Sequence, residues 1–252
     1  FAKMPVLEPS DSQESKDFVG AALDLSEKWD TPVILRSVMR ISHSASPTTL
    51  GERRADDEAA TPAFLRDPHR LVCTCVWAKH QHPVIEERLK RLSEFANTYS
   101  LNRLEWGDRN LGIVAGGAAY NYAREVFPGA SFLKLGMSYP LPFDLIRELA
   151  DGVDELLIVE ELDPFLEEQI KAQGIKCRGK EIFPAYGELT PAIIEKHAAE
   201  AGLVSKAQVK GARELALPEL PGRSPVFCPG CPHRSTFYVL GNAMKETIVA
   251  GG

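Results

Sequence analysis

The residues best suited to chemistry are Cys228 and Cys231, in the run Cys228-Pro229-Gly230-Cys231-Pro232-His233-Arg234. Two intervening residues let both thiolates turn toward one iron–sulfur cluster or one zinc ion. The same spacing at a helix start lowers a thiol pKa and suits disulfide exchange. A closed cluster needs four ligands, and this neighbourhood supplies two. Three readings stand side by side: half of a cluster site, a dithiol redox site, and a purely structural CxxC.

Other constellations are weaker. Gly112-x-x-x-Gly116-Gly117 falls between a strand-like and a helix-like run, where a glycine turn lets backbone N–H groups approach a phosphate. It is neither the G-x-G-x-x-G fingerprint nor a P-loop, and glycine there also serves close strand–helix packing. Glu160-Glu161-Leu162-Asp163-Pro164 follows a predicted strand, and ligands of open α/β sheets gather at strand carboxyl ends. Two adjacent carboxylates suit acid–base work. The structural reading is favoured, with Asp163 as N-cap, Pro164 at the first helical position, and Glu167 and Glu168 facing the helix dipole. Cys73-x-Cys75 with His80-x-His82 resembles a metal set only superficially. A half-buried strand followed by an exposed histidine pair capping the next helix explains it better. Cys177 is isolated and receives no role.

These residues need elements to hold them. Ser10 to Gln13 fits a capping box, and Phe18, Ala22, Leu25 and Trp29 recur at helical spacing. Asp30-Thr31-Pro32 ends that helix, and Val33-Ile34-Leu35 reads as a buried strand. Ser44 through the charge run Glu52–Glu58 and on to residue 70 reads as a solvated linker. Leu71 to Val76 fits a strand, Pro83 opens a helix, and Leu101 to Gly107 reads as irregular. The clearest pattern lies between residues 110 and 175. Leu111–Ala115, Phe132–Leu135 and Leu156–Val159 read as strands alternating with helices at Ala118–Phe127, Pro142–Ala150 and Pro164–Gln173. Such β-α units with short connections predict an α/β domain, a parallel sheet with helices on both faces. Lys206, Lys210, Pro218, Pro221, Arg223 and Pro225 suit an exposed connector, followed by a helix-like run from Phe237 to Met244 and an apolar run Ile248–Ala250.

Composition bounds the function. The 252 residues carry 29 Lys+Arg against 35 Asp+Glu, a net charge of −6, which argues against a nucleic-acid partner. No apolar run approaches the ~20 residues of a membrane helix. Five cysteines, an odd and sparse set, argue against a disulfide scaffold and for a reducing, cytoplasmic setting. A start at Phe1 and an end at Gly251-Gly252 after an apolar run predict a piece of a longer polypeptide.

The CxxC run resembles the segment opening the diphosphate-binding domain in the large (alpha) subunit of the indolepyruvate:ferredoxin oxidoreductase family. Val6-Leu7-Glu8-Pro9-Ser10-Asp11-Ser12-Gln13-Glu14 and Thr31–Arg36 with Arg40–Ser44 resemble the end of that family's pyrimidine-binding domain. Leu101-Asn102-Arg103 with Glu105–Asp108, Leu133–Met137, Val159–Pro164 and Gly187–Pro191 resemble its middle, so the resemblance runs in order through nearly the whole chain. It implies residues 1–46 as the end of a pyrimidine-binding-type domain and 47–107 as linker and connecting helix. Residues 108–200 would be an α/β domain resembling the transketolase C-terminal domain, 201–225 a linker, and 226–252 the start of a diphosphate-binding domain. The implied activity is oxidative decarboxylation of aryl 2-oxoacids such as indolepyruvate to acyl-CoA, with ferredoxin as electron acceptor. The implied cofactors are thiamine diphosphate, Mg2+ and a [4Fe-4S] cluster. The implied partners are coenzyme A, a small beta subunit, ferredoxin and a second copy in a dimer. Cys228 and Cys231 would be metal ligands, and Gly230, His233 and Arg234 would face the cofactor. Arg40 and His43 are weaker candidates for a substrate contact. The family's Gly-Asp-Gly…Asn motif does not occur in these residues, so the stretch alone is expected to be inactive. A non-catalytic scaffold or dimerisation role, and a thiol–disulfide oxidoreductase using Cys228 and Cys231, remain as alternatives.

Overall fold

The computed structural model describes residues 3–52, 66–72, 74–205, 222 and 226–243. Cys73, most of the charge run ending at Glu58, Lys206, Lys210, Pro218, Pro221, Arg223, Pro225, Met244 and Ile248–Ala250 lie outside the described residues. The chain divides near residue 210 into two units.

The first unit begins with β1 (Val6–Leu7), α1 (Ser12–Trp29), β2 (Ile34–Leu35) and α2 (Met39–Ser42). It continues through α3 (Pro68–Leu71) and α4 (Cys75–Ala96) to β3 (Arg103–Glu105), β4 (Asp108–Gly116) and α5 (Gly117–Val126). Then come β5 (Ala130–Leu135), β6 (Met137–Tyr139), α6 (Phe143–Asp151), β7 (Glu155–Val159), α7 (Phe165–Ala172) and α8 (Pro191–Glu200). The second unit contributes α9 (Pro232–Ala243).

The main sheet has the order β3-β5-β4-β7, with β5 and β7 both parallel to β4. Its alternation explains the two covered faces. Ile113 and Ala115 of β4 point to one side, with Phe132 and Val159, and pack against Ala119 and Ala123 of α5 and Ile194 and Ala198 of α8. Val114 points to the other side, with Leu133 and Ile158, against Ile146 and Leu149 of α6 and Leu166 and Ile170 of α7. Each fully buried aliphatic side chain stabilises by roughly 1.5–3 kcal/mol of transfer free energy. The expected parallel sheet covered on both faces is therefore present.

Several expectations are corrected. Residues 103–105 are not irregular: they form β3, antiparallel to β5, as Arg103 pairs with Lys134 and Glu105 with Phe132. The strand expected over Leu71–Val76 is replaced by α3 and the start of α4, and Pro83 lies inside α4 instead of opening it. The expected strand had no partner edge, whereas the helix extends Trp77 toward the His69 ring, 3.9 Å between centroids. Helix α1 is capped by Asp11, which accepts from the Glu14 N–H at 2.8 Å, while Glu14 reaches back to the Ser10 N–H at 2.9 Å. The capping pattern thus sits one residue later than the Ser10–Gln13 spacing suggested, and Gln13 bonds to Asp17 instead.

A small sheet, β2-β1-β6, joins the first β-α-β segment to the central one. β2 is parallel to β1, but Ile34 and Leu35 are 41% and 37% exposed, so the buried strand expected there is an edge strand. Its link to the main sheet is polar and deep. The Lys134 ammonium, only 2% exposed, pairs with Glu14 and donates to the Ser10 hydroxyl at 2.7 Å. The buried Asn102 donates to Ala96 O at 2.9 Å and accepts from the N–H groups of Gly136 and Met137. No helix among the described residues is long and apolar enough to cross a membrane.

Candidate functional site

The CxxC loop is built by local rules. Pro229 and Gly230 occupy the middle of a turn closed by the Cys231 N–H donating to Cys228 O at 3.1 Å. Proline fixes φ at the second position, and Gly230 takes φ +79° at the third, the combination of a type II turn. Pro232 then starts α9 at the one place where a missing N–H costs nothing. Cys228 is exposed and Cys231 half-buried, and both thiols are free. His233 Nδ1 lies 3.4 Å from Cys231 Sγ, and Phe227 stacks on Phe237 with ring centroids 5.3 Å apart. Arg234 lines a shallow hollow of about 400 Å³ together with Gly230, Cys231 and Tyr238. Of the predicted residues, Gly230, Cys231 and Arg234 line this hollow and His233 lies against Cys231, while Cys228 is not among the lining residues. Among the described residues no group of three or more His, Cys, Asp or Glu side chains surrounds a metal position. The two thiols are fewer donors than a closed metal site needs, so any metal held here would need further ligands.

A second site is assembled from residues far apart in sequence. In the main sheet the chain moves from β4 through α5 to β5 on one side, then through α6 to β7 on the other. The order reverses at the carboxyl end of β4, where open α/β sheets form their ligand crevice. A cleft of about 530 Å³ lies there, lined by Glu8, Arg36, Gly116, Gly117, Ser138, Tyr139, Glu160 and Glu161 among others. The two motifs read separately, the glycine pair and the glutamate pair, meet in it.

Their roles differ from those first assigned. Gly117 has φ +54°, and a Cβ there would lie 3.4 Å from Glu8 Oε2. The Glu8 carboxylate stands at this helix start, where a phosphate would have to sit. Glu8 is held by Arg36 at 2.8 Å and by the Ser138 hydroxyl at 2.8 Å. Asp163 is not the N-cap of α7: Pro164 is, with no side-chain cap. The buried Glu160 does that work, accepting from the N–H groups of Leu166 at 2.8 Å and Glu167 at 3.0 Å. Burial pushes the Glu160 carboxyl up, against these two N–H donors. Burial also pushes Glu161 up, with Arg36 opposing. Glu161 makes no hydrogen bond among the described residues, and none joins it to Glu160. The acid–base pair does not form.

Sequence reasoning missed Glu8, Arg36 and Ser138 as cleft residues. The available signal was that Glu8 and Arg36 directly follow β1 and β2. Arg40 pairs with Glu188, and His43 ends α2; neither lines the cleft. Cys75 begins α4, and His80 and His82 sit inside that helix instead of capping it. Burial pushes the half-buried Cys177 thiol up to about 11, which keeps it unreactive.

No family model matches the chain. Curated relatives do. The chain is 35% identical to a protein named indolepyruvate oxidoreductase subunit IorA from Methanothermobacter thermautotrophicus, over 100% of this chain and 42% of the relative. It is 32% identical to the protein of the same name from Archaeoglobus fulgidus, over 97% of this chain and 41% of the relative. The chain spans about two fifths of the length of these relatives. Among solved structures, a chain of the 2-oxoglutarate:ferredoxin oxidoreductase from Magnetococcus marinus superposes with a TM-score of 0.57 at 16% identity. That match covers 78% of this chain and 42% of the other, and it shows a shared fold.

Proposed function

We propose that the chain, 35% and 32% identical along nearly its whole length to two proteins named indolepyruvate oxidoreductase subunit IorA, belongs to their family and works as part of a thiamine-diphosphate-dependent 2-oxoacid:ferredoxin oxidoreductase. The reaction proposed is oxidative decarboxylation of aryl 2-oxoacids of the indolepyruvate type to acyl-CoA, with ferredoxin taking the electrons. The partners are the small beta subunit and ferredoxin, the assembly a dimer, and the setting the cytoplasm. The supporting observation is the kinship along the whole chain, which includes the CxxC loop.

Within that reading, residues 1–46 close a pyrimidine-binding-type domain, 47–107 connect, and 108–200 form the transketolase C-terminal-like domain. Residues 201–225 form a linker, and 226–252 open a diphosphate-binding domain. When bound, thiamine diphosphate with Mg2+ supplies an electron sink for decarboxylation, and a [4Fe-4S] cluster supplies one-electron transfer. Cys228 and Cys231 would supply two thiolates of the cluster. Gly230 lets the turn close tightly enough to present both, and His233 and Arg234 would place positive charge and N–H donors beside a diphosphate. His233, next to Cys231 Sγ, orients that thiolate.

The test is anaerobic purification together with the small subunit, followed by ferredoxin reduction with indolepyruvate and coenzyme A. The reading expects reduction that requires both substrates. Absence of reduction with every aryl 2-oxoacid, in a preparation loaded with cofactor and iron, would contradict it.

A further inference from the structure

The cleft at the carboxyl ends of β4 and β7 plays no part in the proposed reaction, yet it has the features of a binding site. It is concave and of ligand size, at about 530 Å³. Its walls are largely apolar, with Val6, Ile34, Val38 and Ala118 on one part and the rings of Tyr139 and Phe165, centroids 6.4 Å apart, on another. Its polar groups are few and unequally occupied. Glu8 is held by Arg36 and Ser138, and Glu160 is consumed by the start of α7. Lys3 is paired with Glu86. Glu161 alone among the three lining glutamates has no hydrogen bond among the described residues.

We propose that this cleft binds a small aromatic cation, an amidinium or a protonated amine on a flat ring, with the ring between the apolar walls and the cationic end on Glu161. The sign follows from the charges present. Glu8, Glu160, Glu161 and Asp163 line the cleft, and its two cations, Arg36 and Lys3, are already committed. An anion would meet the Glu8 carboxylate at the Gly117 turn. Among the described residues two lining carboxylates, Glu161 and Asp163, have no hydrogen bond or ion pair, and of these Asp163 is exposed and Glu161 half-buried, so a cation would pair more strongly with Glu161. Burial pushes the Glu161 carboxyl up, and an incoming cation would oppose that shift as Arg36 does.

The test is a titration of the whole chain with benzamidinium and, separately, with benzoate, followed by ligand-observed NMR. Benzamidinium should bind saturably at millimolar concentration or below, and benzoate, with the same ring and the opposite charge, should not. Glu161→Gln keeps the shape and removes the charge, and it should weaken benzamidinium at least tenfold. No saturable binding, equal binding of benzoate, or unchanged affinity in Glu161→Gln would each overturn the proposal. None of these outcomes touches the reading of the CxxC loop, which rests on different residues.

Discussion

The two sites differ in how they are made. The cleft gathers Glu8, Arg36, Gly117, Ser138 and Glu161 from five separate stretches, held by the small sheet β2-β1-β6 together with the four-stranded sheet whose two faces are covered. The CxxC loop gathers its residues from one stretch, and its described contacts run only from Phe227 to Phe237. The cleft therefore depends on long-range packing, and damage to its supports costs stability. The loop depends on a turn, and under the proposed function damage to its thiols would cost chemistry while leaving the fold alone.

The largest expected effect sharpens that contrast. Cys228→Ser or Cys231→Ser should lower ferredoxin reduction by on the order of tenfold or more. Neither should move unfolding stability beyond about 0.5 kcal/mol, because neither thiol packs in a described hydrophobic cluster. Chemical denaturation beside the activity assay checks both halves.

Next comes the buried clasp. Lys134→Met should destabilise the first unit by roughly 3–5 kcal/mol, because it removes one partner of a buried ion pair. Adding Glu14→Leu should recover much of that loss, which a double-mutant cycle in urea would read. The pH dependence has a definite sign. Burial pushes the Glu14 carboxyl up, but hydrogen bonds from Lys134 and Ser10 outweigh it and hold it below its ordinary 4.5. The stability this contributes is present in full above pH 4.5 and is lost as the pH falls through the lowered folded value. Acid titration of stability should show that loss in the parent chain and a smaller one in Lys134→Met.

Smaller effects belong to single backbone positions. Gly117→Ala forces a Cβ into the left-handed region beside Glu8 and should cost about 1–2 kcal/mol. Asp11→Ala removes the cap of α1 and should cost about 1 kcal/mol. Thermal unfolding resolves both.

What was legible in the sequence follows the same division. The strands around Leu111–Ala115, Phe132–Leu135 and Leu156–Val159 were readable because each is a mostly apolar run between turn residues, interrupted only by Gly112 and Lys134. The helical stripe of Phe18 and Leu25 was readable by period, and both are buried. The cysteine spacing was readable because it is local. What failed was whatever needs a partner from elsewhere. β3 is too short to announce itself and exists because β5 offers an edge. α4 runs through Pro83 because the hydrogen bonds on either side outweigh one lost donor. The sequence favours the structural reading for Glu160-Glu161, but with Asp163 as the cap of α7; Glu160 caps it instead and Glu161 is left in the cleft.

We have proposed that this chain serves a 2-oxoacid:ferredoxin oxidoreductase through a cluster held partly by Cys228 and Cys231. The most direct test is iron content and low-temperature EPR of the reduced protein, purified anaerobically with its small subunit, with and without both cysteines replaced by serine. The proposal predicts a cluster signal that is lost, together with its iron, in the double variant. Identical iron content and identical spectra in the two preparations would contradict it.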